Sequence, residues 1–325
     1  MNQLISLEQA SSLILGGAPL SVAGPEHLLD QLPAGSWVGG TIPYFMTHEG
    51  GVVVNNKVFV TDLSELGTVS LASYGADELA GIAAHAPDNG FSLTIIPAGG
   101  QAHQRFAAEA ATYPDAFVKP TVGWISGVHL SELGKATPKV YDGRTGAKYE
   151  DRAVVAYVSV PDDKLVMLET VNLFEPDGKD VIHFSQTGFH VDECEVNGEV
   201  VNFAEYVKSR GFEGGQCPLV GDFAGAHVNV SLQGMPATGG VDFYAPVFPG
   251  VDYHFAKAVP DYVGAFRERL EAVEHEGVVW SCNCILNFVF GGFEGKAIGG
   301  EPGAVTFGEI AYQLLNQTMV MVRIA

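Results

Sequence analysis

Basic residues are scarce in this chain. Seventeen lysines and arginines stand against 38 aspartates and glutamates in 325 residues, a formal net charge of −21. A surface that acidic repels phosphate backbones and anionic lipid headgroups, which argues against nucleic acid and membrane surfaces as partners. Cysteine is equally sparse: Cys194, Cys217, Cys282 and Cys284 are too few for a disulfide framework. No uncharged apolar run is long enough to span a bilayer. The opening "MNQLISLEQASSLILGG" has no basic n-region and is broken by Glu8, Gln9, Ser11 and Ser12, so it reads as the start of a domain rather than a signal peptide. A cytoplasmic location is the resulting expectation. Dinucleotide, Walker, nucleophile-elbow and H-E-x-x-H motifs are all missing, as are short-period repeats and low-complexity segments.

What the chain does have is core material and turns. Hydrophobic residues make up 47% and charged ones 17%, with 40 glycines to punctuate short elements. Strand and helix patterns alternate through the first 130 or so positions, as in "FSLTIIPAGG" followed by "QAHQRFAAEAATY". Consecutive strands without helices then follow, an antiparallel texture, up to the polar "EPDGKD" at 175–180. The expectation is an α/β (α+β) protein of two lobes, 1–178 and 179–325, each a mixed or antiparallel sheet with packed helices. Within it, "GGVVVNNKVFVTDL" (50–63) reads as a hairpin on Asn55-Asn56, and "VNGEV" (196–200) as a tight hairpin on Asn-Gly. Asn202 is placed to cap a helix over 203–210 that Gly211 ends. Residues 259–277 form an amphipathic helix with Asp261 in its first turn. Residues 278–290 read as a buried strand, and 306–318 as a helix start.

The chemistry concentrates in "VVWSCNCILNFVFGGFEG" (278–295). Residues two apart in a strand share a face, so Trp280, Cys282 and Cys284 lie side by side with Asn283 opposite. The spacing lacks the second pair that structural zinc requires. Two readings remain: small buried residues that wall a pocket, or a nucleophilic thiol activated by a histidine such as His48 or His190. His48-Glu49 precedes a Gly-Gly turn, and is either a proton-transfer pair or two solvated turn residues. His190, Asp192 and Cys194 alternate and would share one face, as a site or as the polar side of an edge strand. His227 and His254 sit in apolar surroundings, where a hydrogen-bonded core histidine is the plainer reading. Gly99-Gly100, at a helix start, could hold an anion, and Gly299, Gly300 and Gly303 precede the expected helix at 306.

The C-terminal segment carries one likeness. "VVWSCNCILNFVFGGFEG" followed by "GAVTFGEIAYQLLNQTMVMVRI" resembles the end of FIST domains, with Cys282, the Thr306-Phe307-Gly308-Glu309-Ile310 turn and Asn316 at the matching positions. The "VNGEVVNFAEYVKS" segment is similar to the FIST hairpin and helix. That resemblance implies an intracellular sensory module binding a small molecule without catalysis, with the ligand held between lobes near Trp280, Cys282, Cys284, Asn287 and Glu309, and reached by His48. It also implies a signalling protein as partner. Haem enters as a cofactor through the same resemblance, though no histidine maps to a haem ligand, and the arginine usual after the cysteine is here Asn283-Cys284-Ile285. The enzyme alternative is a cysteine-dependent hydrolase or transferase using Cys282 or Cys284 with His48 or His190 as base. Exposed strand edges would also allow a homo-oligomer.

Overall fold

A computed structural model describes residues 2–325. Among them are five sheets, four of six strands and one of three, with seven α-helices, so the fold is the mixture of α and β expected.

The middle of the molecule is the sheet built on Gly90–Pro97, a strand buried at every position. It runs parallel to Thr121–Ser126 and antiparallel to Arg152–Ser159. A strand covered on both faces reads as a continuous apolar run rather than an alternation, which "GFSLTIIP" does. Phe91, Leu93 and Ile95 face one core, while Ile96 joins Ala102 and Phe106 of the helix Gln101–Glu109 in another.

Packed on the first of these faces is the sheet that contains the two vicinal thiols. Its strands lie in the order Val166–Asn172, Thr318–Ile324, Val278–Cys284, Gly303–Thr306, Tyr44–Thr47 and Gly50–Val53. The last strand of the chain is thus inserted between two others and is antiparallel to both. Residues 278–324 complete sheets begun by residues 44–172, so the sheets do not divide at 178/179. A further sheet pairs Asn2–Ile5 through Tyr149 under the helix Leu7–Leu15. The remaining two, between residues 182 and 255, enclose a separate aromatic core around Phe184, Phe203, Phe243 and Tyr253.

Several local readings hold. The Val196↔Glu199 pair closes the Asn-Gly hairpin, with Asn197 and Gly198 both at positive φ as that turn requires. The Asn202 side chain accepts from the Glu205 N–H at 3.0 Å, the helix runs Phe203–Arg210, and Gly211 ends it in the left-handed region. Asp261 caps the helix Tyr262–Glu271 in the same way.

Three readings fail. The run 50–63 is not a hairpin: Gly50–Val53 pairs with Tyr44–Thr47, while Val58–Asp62 joins Asn2–Ile5 and Leu20–Gly24 in another sheet. Asn55-Asn56 is a crossing between sheets, because both apolar runs find better-buried partners elsewhere. The segment 306–318 is not helical. It forms the short strands Glu309–Ala311 and Gln313–Leu315, with Tyr312 and Gln317 at φ 62° and 51°, a geometry a helix cannot contain. The strand at 278 stops at Cys284, and Ile285–Gly291 turns into a helix closed by Gly292 in the left-handed region.

Replacing Asn202 with alanine removes a cap worth about 1 kcal/mol. The urea midpoint of Asn202→Ala should fall correspondingly with an unchanged slope, and an unchanged midpoint would contradict the capping role.

Candidate functional site

Cys282 and Cys284 do share a face, as alternation requires, and that face is turned to the central sheet. Each is 1% exposed. The Cys282 thiol lies 3.5 Å from the Gly123 carbonyl oxygen and donates to it. Cys284 lies beside the carboxyl of Glu309, which has no exposure at all. Thr318 completes that carboxyl's shell, its hydroxyl donating at 2.8 Å and its backbone N–H at 3.3 Å, and the Thr306 hydroxyl stands at 3.5 Å. Burial drives Glu309 up to about 8 despite those donors, so it is mostly protonated at neutral pH. Burial, and after it the neighbouring carboxyl, holds both thiols well above the ordinary thiol range. A nucleophilic cysteine needs the opposite environment, one that favours thiolate.

The other sequence candidates divide between core and surface. Trp280 is 3% exposed and packs in the same apolar core. Asn287 is on the helix rather than at a strand end, fully buried, and its side chain is used up. Its Nδ2 donates to Asn283 Oδ1 at 2.8 Å and to the Thr318 carbonyl at 3.1 Å, and its Oδ1 accepts from the Tyr262 hydroxyl at 2.6 Å. These bonds fasten the helix Ile285–Gly291 to two strands and to the helix Tyr262–Glu271. His48 is exposed on the turn between Tyr44–Thr47 and Gly50–Val53. His190 is held on the surface between Asp242 at 2.6 Å and Asp192 at 3.4 Å, and the Asp242 hydrogen bond chiefly raises its pKa. Cys194 does not join them: a bend at Asp192 resets the alternation, and Cys194 turns inward. His227 is exposed rather than in the core, and His254 is half-buried with Nδ1 unpartnered. The helix start after Gly99-Gly100 takes an anion from the protein itself, the Asp151 carboxylate, which accepts from Ala102 N–H at 2.7 Å.

Neither thiol lines the cleft beside the helix Ile285–Gly291, whose wall is chiefly aromatic and aliphatic, but the residues directly after Cys284 do. The helix presents Ile285, Leu286, Val289 and Phe290 to a cavity of about 560 Å³. Phe189, Phe243 and Tyr244 of the three-stranded sheet form a second wall, and the loop after Thr121–Ser126 supplies Leu130 and Leu133. Phe307 reaches the cavity only because residue 127 is glycine, since a Cβ there would lie 2.3 Å from its ring. The loop is held by Tyr44, whose hydroxyl accepts the Leu130 N–H at 2.9 Å and whose ring meets Phe288 edge-on and stacks on His129. Two large apolar side chains on the cavity wall stand open to solvent, Leu133 at 55% and Val289 at 46%.

One polar group in this wall is buried. His103 is 9% exposed; its Nδ1 accepts the Gly99 N–H at 3.2 Å, and its Nε2 has no partner in the protein. Burial lowers its pKa to about 4. Nothing in the sequence singled out His103, because "GGQAHQRF" shows only a helix start. Its burial follows from Ala102 and Phe106 on the same helix packing inward.

A family model described as a family of unknown function (DUF6976) matches residues 5–325. The chain belongs to that family. No curated protein matches it. Among the described residues, no group of three or more histidines, cysteines, aspartates or glutamates is placed to hold a metal ion, and no helix is long and apolar enough to cross a membrane.

Folding raises Glu309 from 4.5 to about 8. The folded chain therefore keeps a proton that the unfolded chain releases, and this group's contribution is full below 4.5 and lost as pH rises towards 8. Urea midpoints of the wild type should decline between about pH 5 and about pH 8 more steeply than those of Glu309→Gln, whose amide stays uncharged. Identical pH slopes for the two proteins would contradict the assignment.

Proposed function

We propose that this protein binds a small molecule without catalysis, as a sensory protein whose occupancy is read by a partner protein. The supporting observation is the cavity beside the helix Ile285–Gly291: its volume of about 560 Å³ lies in the range of small-molecule sites, and its wall is chiefly aromatic and aliphatic with few polar groups. The exposed Leu133 and Val289 support the same reading, since large apolar side chains grouped at one opening mark interaction sites. The likeness of the segment around Glu309 and Asn316 to FIST domains points the same way. The ligand site proposed from the sequence moves by a few residues, from the thiol strand to the helix it feeds. The thiols and Asn287 then support the wall rather than touch the ligand.

The wall does not suit haem. A ligating histidine ordinarily donates its second ring N–H and leaves the first nitrogen free for iron. In His103 the Nδ1 is the acceptor, so the proton sits on Nε2. Among the described residues no arginine or lysine lines the cavity to meet propionates.

A thermal-shift screen of neutral fragments tests the reading. A ligand at 100 times its Kd adds about 2.7 kcal/mol to stability, a shift of a few degrees or more. Val289→Trp should block the opening and abolish the shifts, while Leu165→Ala, at an exposed position away from the cavity, should keep them. Shifts that survive Val289→Trp, or a screen without any, would contradict it.

A further inference from the structure

Two clefts of this molecule meet at one side chain. Phe290, half-buried near the end of the helix Ile285–Gly291, lines the cavity described above and also a second one of about 570 Å³. Phe174, Phe212, Cys217, Val259 and Tyr262 wall this second cleft. The two clefts also approach each other across Gly215, which lines the second. A Cβ on Gly215 would lie 3.0 Å from the carbonyl oxygen of Leu232, whose neighbour Gln233 lines the first cleft, and 4.0 Å from the tip of the Phe290 ring. A molecule laid across Phe290 therefore touches both clefts.

The two ends of such a path differ in charge. Among the described residues, no aspartate, glutamate, lysine or arginine lines the first cleft. An ion placed there would lose its hydration without gaining a counter-charge. In the second cleft Lys257 is, among the described residues, the one charged side chain of the lining. Its Nζ donates to Glu175 at 2.9 Å, and the two side chains are 60% and 65% exposed. An ion pair so exposed is worth little, so a ligand carboxylate can take the place of Glu175 without leaving a buried charge behind. The net charge of −21 counts against an anion at long range. At physiological salt that repulsion is screened beyond about 8 Å, and burial of an apolar body supplies most of the affinity.

We propose that the two clefts form one site for an elongated amphiphile, a long-chain carboxylic acid. Its alkyl chain lies in the first cleft and across Phe290, and its carboxylate meets Lys257 in the second. This assignment rests on the binding role proposed above and adds the length of the guest and the charge of its end.

Titration of the full chain with octanoate, decanoate, dodecanoate and tetradecanoate tests it. Affinity should rise about fourfold per methylene along the series. Lys257→Glu, at an exposed position, should weaken tetradecanoate about tenfold and leave decanol unchanged. Val259→Trp, which fills the second cleft, should also weaken tetradecanoate about tenfold. Neutral fragments held in the first cleft should still raise the melting temperature of Val259→Trp, which also shows that the variant is folded; Lys257→Glu decides by itself if it is not. Tetradecanoate that is insensitive to either substitution, or that does not bind while the fragments do, would overturn the proposal and leave the first cleft as a ligand site. Failure of fragments and acids alike would overturn the binding role as well.

Discussion

Glu309 has no access to solvent, and a buried carboxyl must find partners inside the protein. Thr318, the first residue of the last strand, supplies two of them, and Thr306 a third. The same Thr318 offers its carbonyl on the opposite face to Asn287. One residue therefore ties the thiol sheet to the central sheet on one side and to the helix Ile285–Gly291 on the other. Buried polar networks of this kind favour a single packing, because a slip of register strands several polar atoms at once. The position of the helix, and with it one wall of the cavity, follows from that lock.

The pair of cysteines fits this role. Two small side chains at alternate positions let the strand Val278–Cys284 approach the central sheet closely enough for a thiol to reach the Gly123 carbonyl. Larger residues would hold the sheets apart. Their chemistry is thus steric and polar rather than nucleophilic, with burial suppressing the thiolate. Gly127 plays the complementary part across the sheet, where the absence of a side chain admits Phe307.

Much of the local structure was legible in the sequence, since it rests on local rules. Asn202, Gly211 and Asp261 act at the helix ends where their side chains and backbone preferences place them, and the alternation that put Cys282 and Cys284 on one face is a property of any strand. What escaped depends on distant partners. The apolar runs either side of Asn55-Asn56 look like a hairpin until each is claimed by a different sheet. The "TFGEIAYQLLNQT" pattern suggests a helix until Thr121–Ser126 offers its edge and Tyr312 turns the chain at positive φ. The cavity was invisible because its walls come from four separate stretches, near residues 100, 130, 190–244 and 285–307. His103 carried no signal because the orphaned nitrogen that marks it exists only after the helix is buried.

The central claim is that the helix after the thiol strand, fixed by Asn287, walls a cavity that takes a small-molecule guest. Methyl-selective NMR during titration with a neutral fragment that raises the melting temperature tests it most directly. The account predicts shifts in the methyls of Leu130, Leu286 and Val289, which line the cavity, with those of Val320 and Val322 in the core unmoved. Shifts confined to Val259, in the cleft beside Cys217, or perturbation of the core methyls alone, would contradict it.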